Sequence, residues 1–245
     1  MRNIIAILCL ILLVGCNSSI NATSQKQNLV ISDIAYDANK NLGYSVYIKE
    51  NYNYIPYLVL TNNYNGNVLL LRKKLLDESQ LFNDYSGYYP ESIIDKYLNE
   101  TFLATINIEI HKYIAKSIIT IAAESSLGVC GLDTEQITRD IFLLSCTELG
   151  FDDQTIACVE GTPLEYFSED ATKMIACRQN EASSWWLRTS YTWYDCSAFG
   201  ISANGTVGGG GVYYENGVRP AFCLLPNTPI CEDYLDGEKI YRISE

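Results

Sequence analysis

Histidine is almost missing from this chain: His111 is the single imidazole in 245 residues. A mechanism of the Ser-His-Asp or Cys-His kind would have to be built on that residue, and no G-x-S-x-G nucleophile turn stands near it. No two cysteines are spaced C-x-x-C, which with the lack of histidine removes a zinc site of Cys and His ligands. The same spacing removes a thioredoxin-like redox centre. Basic residues are scarce as well, 17 Lys and Arg against 29 Asp and Glu, for a formal net charge of −12. Nucleic acid calls for a basic stripe, so it is not an expected partner, and anionic lipid headgroups would repel such a surface. The loop acids, from Asp152 and Asp153 through Glu165 to Asp233, Asp236 and Glu238, lack the ligand spacing of an EF-hand. Gly208 to Gly211 are not followed by the Lys or Ser/Thr of a phosphate loop and read as a hairpin or bulge with close backbone packing. No metal and no cofactor is expected.

What is present begins at the N-terminus. Arg2 precedes an apolar run from Ile4 to Val14, too short to cross a bilayer, which closes on Leu13-Val14-Gly15-Cys16. This is the pattern of a bacterial lipoprotein signal, with Cys16 as the lipid attachment residue. Residues 1–15 are then a signal peptide, 16–28 the lipidated cysteine and a polar tether, and 29–245 one globular domain. Two or three acyl chains give a stable anchor where one does not. The expected partner is therefore the membrane, through that anchor, and the expected location extracytoplasmic, at the bacterial cell surface. Seven cysteines remain beyond Cys16: Cys130, Cys146, Cys158, Cys177, Cys196, Cys223 and Cys231. Outside the cytoplasm some of them could pair. Sequence leaves the pairing open, although Cys223 and Cys231 are near enough in the chain to bridge the loop at Pro226.

The early part reads as strands, over Tyr44 to Ile48, Ile55 to Thr61 and Asn67 to Leu71, with Asn65-Gly66 as a hairpin turn between the last two. Pro90 opens a helix reaching Phe102, in which Ile93, Ile94, Tyr97, Leu98 and Phe102 return to one face. A second helix is expected near Glu109 to Ile114 and a helical turn at Pro163 to Phe167. Ile118 to Ile121 and Ile141 to Leu144 are apolar runs of strand length. The expected fold class is α+β: a mixed, mainly antiparallel sheet with one or two helices and long loops.

The last third carries Trp185-Trp186-Leu187-Arg188-Thr189, then Tyr191-Thr192-Trp193-Tyr194-Asp195, a turn at Asn204-Gly205, and Gly217-Val218-Arg219-Pro220-Ala221. With W-W-L-R-[ST], N-G-x-V and G-V-R-P-A in this order, the chain resembles a family of uncharacterised secreted or surface-bound bacterial domains over about residues 44 to 225. Its closing strands are distantly similar to the formylglycine-generating enzyme and the C-type lectin fold, which implies C-type-lectin-like closing strands with Arg188 and Arg219 at the two arginine positions. Thr189-Ser190 replaces the enzyme's Gly-Gly-Ser, Cys196 has no partner cysteine four or five residues away, and Leu225-Pro226-Asn227 lacks the leading acid of the lectin calcium triplet.

Side chains alternate along a strand, so Trp185 and Trp186 point to opposite faces. One indole is expected in the core; Trp186, on the side of Arg188, is either covered by a second layer or offered to a ligand. Arg188 and Arg219 read first as buried guanidinium groups held by carbonyls or carboxylates, and second as ligand contacts. Tyr191, Trp193, Tyr194 and Asp195 form an aromatic loop suited to a glycan or a protein. The ligand-binding candidates are thus Trp186, Arg188, Tyr191, Trp193, Tyr194, Asp195 and Arg219, and the expected function is a surface recognition module. The alternative is an extracytoplasmic enzyme, either a divergent formylglycine-type oxidase using Cys196 or a hydrolase using two converging carboxylates.

Overall fold

A computed structural model describes residues 29–37, 44–151, 153, 157–168 and 170–244. The expected signal peptide, the expected lipid attachment residue Cys16 and the expected tether lie outside the described residues. Among those described, no helix is long and apolar enough to cross a membrane.

Strands dominate, and the helices are short. The main sheet runs in the order Ile230–Leu235, Glu238–Ile243, Ser45–Glu50, Asn53–Tyr64, Asn67–Arg72, Ala221–Leu224 and Ile114–Ala115, with Ile141–Phe142 also on Ala221–Leu224. Every pairing is antiparallel except Ser45–Glu50 with Glu238–Ile243, so the sheet is mixed and mainly antiparallel. The expected hairpin is present: Asn65 and Gly66 both take positive φ, 52° and 80°, and join Asn53–Tyr64 to Asn67–Arg72. Val68 to Leu71 are fully buried, because this strand is covered on both faces and its apolar run has no polar side to show. Ser117–Ala122 and Thr134–Arg139 form a separate antiparallel pair.

The helix expected from Pro90 starts later. Ser92 caps it, its hydroxyl accepting the Asp95 N–H, and Ile93–Lys96 is α-helical before the chain widens to a π-turn over Tyr97–Phe102. Ile94, Leu98 and Phe102 still face the core, as their spacing requires. The second helix is the single turn Ile108–His111, and Ile114, expected as its end, belongs to a strand. His111 Nε2 meets the carbonyls of Leu103 and Ile106 at 3.1 and 3.0 Å and so ties that turn to the helix end. The expected helical turn after Pro163 is found at Glu165–Ser168.

A three-stranded sheet carries the last third, in the order Trp185–Ser190, Ser197–Ile201, Val207–Gly211. Every residue of Trp185–Ser190 is buried, so both faces are covered and both indoles are core. Trp185 Nε1 donates to the Met174 carbonyl and Trp186 Nε1 to that of Gln80, each at 3.0 Å. All seven described cysteines are unpaired. Cys223 and Cys231 do not bridge, because four strands stand between theirs in the sheet, and strands repeat about every 4.8 Å.

Candidate functional site

The first arginine of the closing strands is the centre of a buried ion cluster. Arg188 is fully buried and uses both Nη atoms on Glu148, at 2.7 and 2.8 Å, while its remaining bonds go to the carbonyls of Thr120, Leu143 and Glu160. Tyr64 donates its hydroxyl to the same Glu148. Glu160, also fully buried, accepts from the Ala122 N–H at 2.7 Å and the Thr189 hydroxyl at 2.6 Å. Burial pushes the Glu160 carboxyl up to about 7, against the pull of Arg188 and those two donors. A cleft of about 510 Å³ lies alongside, walled by Asn63, Tyr64, Thr120, Gln136, Gly161 and Glu165. A Cβ at Gly161 would come within 3.2 Å of Glu148 Oε1, so a residue without a side chain separates cleft from cluster.

Arg219 goes elsewhere. It lies 5.0 Å over the Trp185 ring, donates Nε to the Arg72 carbonyl, and pairs with no carboxylate among the described residues. Burial lowers its pKa to about 10. Arg188 and Arg219 are thus covered, and Trp186, almost wholly buried, shows only an edge to the shallow groove beside the glycine strand. Arg188 is a buried group held from within, whereas Arg219 is buried with its Nε held by a carbonyl and its Nη1 without a hydrogen-bond partner among the described residues.

The aromatic loop behaves in the opposite way. Trp193, Tyr194 and Asp195 are exposed and Tyr191 is half-buried. The loop is fastened at both sides: Gly87 N–H donates to the Asp195 carbonyl at 2.5 Å, Cys130 N–H to the Thr192 carbonyl at 3.1 Å, and Tyr191 N–H to the Ser197 carbonyl at 3.0 Å. Two further segments join it. Asn83 and Phe82 N–H groups donate to the Val212 carbonyl, and Val212 N–H donates to the Cys196 carbonyl. These bonds bring segments 82–88, 191–197 and 207–216 to one end of the small sheet. Tyr85, Tyr213 and Tyr214 consequently stand exposed in the segments adjoining Trp193 and Tyr194.

The glycine strand is the bed under these rings. A Cβ at Gly209 would lie 3.5 Å from Tyr191 Cγ, and one at Gly211 only 2.9 Å from Tyr213 Cζ. At Gly211 a side chain would displace the ring. On the other face, Gly210 packs against Trp186, so the close backbone packing expected of the run is what it does. Tyr191 and Tyr194 lie 5.7 Å apart with a 31° tilt, and Tyr213 and Tyr214 4.6 Å apart with a 52° tilt. A loop held by backbone bonds at several points meets a ligand with little ordering cost.

Sequence reading missed Tyr85, Tyr213 and Tyr214, although the Tyr-Tyr pair directly after the glycine strand was visible. It also missed Glu148 and Glu160 as the partners of Arg188. Among the described residues no group of three or more His, Cys, Asp or Glu side chains is placed to hold a metal ion. The sequence model of the domain of unknown function DUF6273 matches residues 65–226, which include all three aromatic segments. No curated protein and no solved structure matches the chain.

Proposed function

We propose, for a chain that belongs to the DUF6273 family of domains of unknown function, a role as a recognition module that binds a glycan or a protein outside the cell. The lipid on Cys16 would hold it at the cell surface, and the C-type-lectin-like likeness of its closing strands fits a binding role. One observation carries the reading: Tyr85, Trp193, Tyr194, Tyr213 and Tyr214 are 86, 49, 60, 52 and 63 % exposed on three loops joined by backbone hydrogen bonds. Large aromatics are seldom left in water, and those at binding surfaces dominate the energetics. Glycan and extracellular-protein arrays probed with the purified chain test it. A ligand signal lost in a Trp193→Ala, Tyr194→Ala variant is expected; equal signals would remove the platform. For the anchor, labelled palmitate should enter the wild type and not Cys16→Ser.

A second reading, a hydrolase, draws on Glu148 and Glu160 converging beside the cleft, with Glu160 raised to the range of a general acid. Both carboxylates are covered, so substrate would reach them only if the chain at Gly161 moved. Hydrolytic activity lost in Glu160→Gln would support this reading over binding alone.

A further inference from the structure

Resting on the recognition reading above, we propose that the aromatic platform selects cationic groups, an alkylated ammonium or the ammonium and guanidinium of a basic peptide, over neutral sugars. The first support is charge. Segments 82–88, 124–135, 191–197 and 207–216 carry Asp84, Glu124, Asp133, Glu135, Asp195 and Glu215 and not one Lys, Arg or His. They are neighbours in space: Cys130 bonds to Thr192, Asp195 Cβ lies 3.5 Å from the Cβ position of Gly128, and Tyr88 donates its hydroxyl to Glu135. The negative field is felt by that phenol, which burial, the bond to Glu135 and the charges of Glu135, Glu124 and Glu91 push up to about 12.

The second support is ring geometry. Gly209 and Gly211 are two positions apart on one strand and share a face, and the rings of Tyr191 and Tyr213 lie over them. A small cation over the face of an exposed ring such as Tyr213, within about 6 Å of its centroid, makes a cation–π contact. The 52° between Tyr213 and Tyr214 means that these two rings do not make the one flat face on which a sugar ring stacks. Acidic residues on the segments around such rings attract a cation and do nothing for a neutral saccharide.

The test is an NMR titration of the purified chain with tetramethylammonium, with hexalysine and with a neutral hexasaccharide. Saturable shifts of Trp193, Tyr194 and Tyr213 are expected with both cations. Tetramethylammonium should bind about three- to fivefold more weakly to Tyr213→Ala, the loss of one exposed ring. Gly211→Ala, which moves that ring without deleting it, should weaken binding similarly, and Asp195→Asn should weaken hexalysine more than tetramethylammonium. Response to hexalysine alone would identify a peptide as the source of the cation. Saturation by the saccharide without response to either cation would overturn this inference and leave the recognition reading standing. Cation binding unchanged in both Tyr213→Ala and Gly211→Ala, or no binding of any probe, would also overturn it, the array then deciding the wider reading.

Discussion

Replacing Arg188 by Met should cost a large part of the domain's stability. The guanidinium is fully buried, and all five of its hydrogen bonds are made, two to Glu148 and three to backbone carbonyls. Met fills much of the volume and leaves Glu148 as a buried charge whose remaining donors are the Tyr64 hydroxyl and the Ser145 N–H. Breaking a buried pair from one side costs about 3–5 kcal/mol, a large part of the roughly 5–15 kcal/mol that holds a domain. Urea unfolding followed by tryptophan emission reads the change, since Trp185 and Trp186 are both core. The control is Arg188→Met with Glu148→Leu, which removes both charges. It should recover about half or more of the loss, because the penalty comes chiefly from the orphaned carboxylate. A loss below about 1 kcal/mol in the single variant, or a double variant as unstable as the two single losses added, would refute the reasoning.

Two further expectations follow from the same interior. Glu160 keeps a proton in the fold up to about pH 7, while in the unfolded chain it gives it up near the ordinary 4.5. The folded state therefore binds more protons between these values, and stability should fall as pH rises through that window, by about 3 kcal/mol, and level off above it. Urea midpoints across the window should show this slope in the wild type and not in Glu160→Gln; the same slope in both would assign it to other groups. Thiol reactivity should divide by burial: exposed Cys130 is alkylated by iodoacetamide in the native protein, whereas Cys223, whose pKa burial pushes up to about 12, and Cys146, pushed higher still, react only after unfolding. Peptide mapping that finds Cys146 modified as fast as Cys130 would contradict the core as described.

What sequence made legible was what depends on near neighbours. Asn65-Gly66 announced its hairpin because both residues tolerate positive φ, and the glycine run announced close packing. The helix near Pro90 was found but misplaced, since Ser92, not the proline, supplies the cap. Thr134–Arg139 went unseen because Ile137 is its one apolar residue, and the hairpin Ile230–Leu235 with Glu238–Ile243 went unseen despite Asp236-Gly237, both at positive φ. The site was half legible. Trp193 and Tyr194 could be named from their loop alone, whereas Tyr85 joins them through a bond from Gly87 to Asp195, across more than a hundred residues. No local pattern reports such a meeting. The same holds for Glu148 and Glu160, which owe their place to the fold and not to spacing.

The recognition reading meets its most direct test in the dissociation constant of the strongest array ligand, measured for the wild type, for Trp193→Ala with Tyr194→Ala and Tyr214→Ala, and for Tyr52→Ala as an exposed aromatic outside the platform segments. The expected result is affinity at least about 30-fold weaker in the triple variant, the loss of one hot-spot residue's worth of binding, with Tyr52→Ala unchanged and all three equally stable. Equal affinity in all three proteins would contradict it.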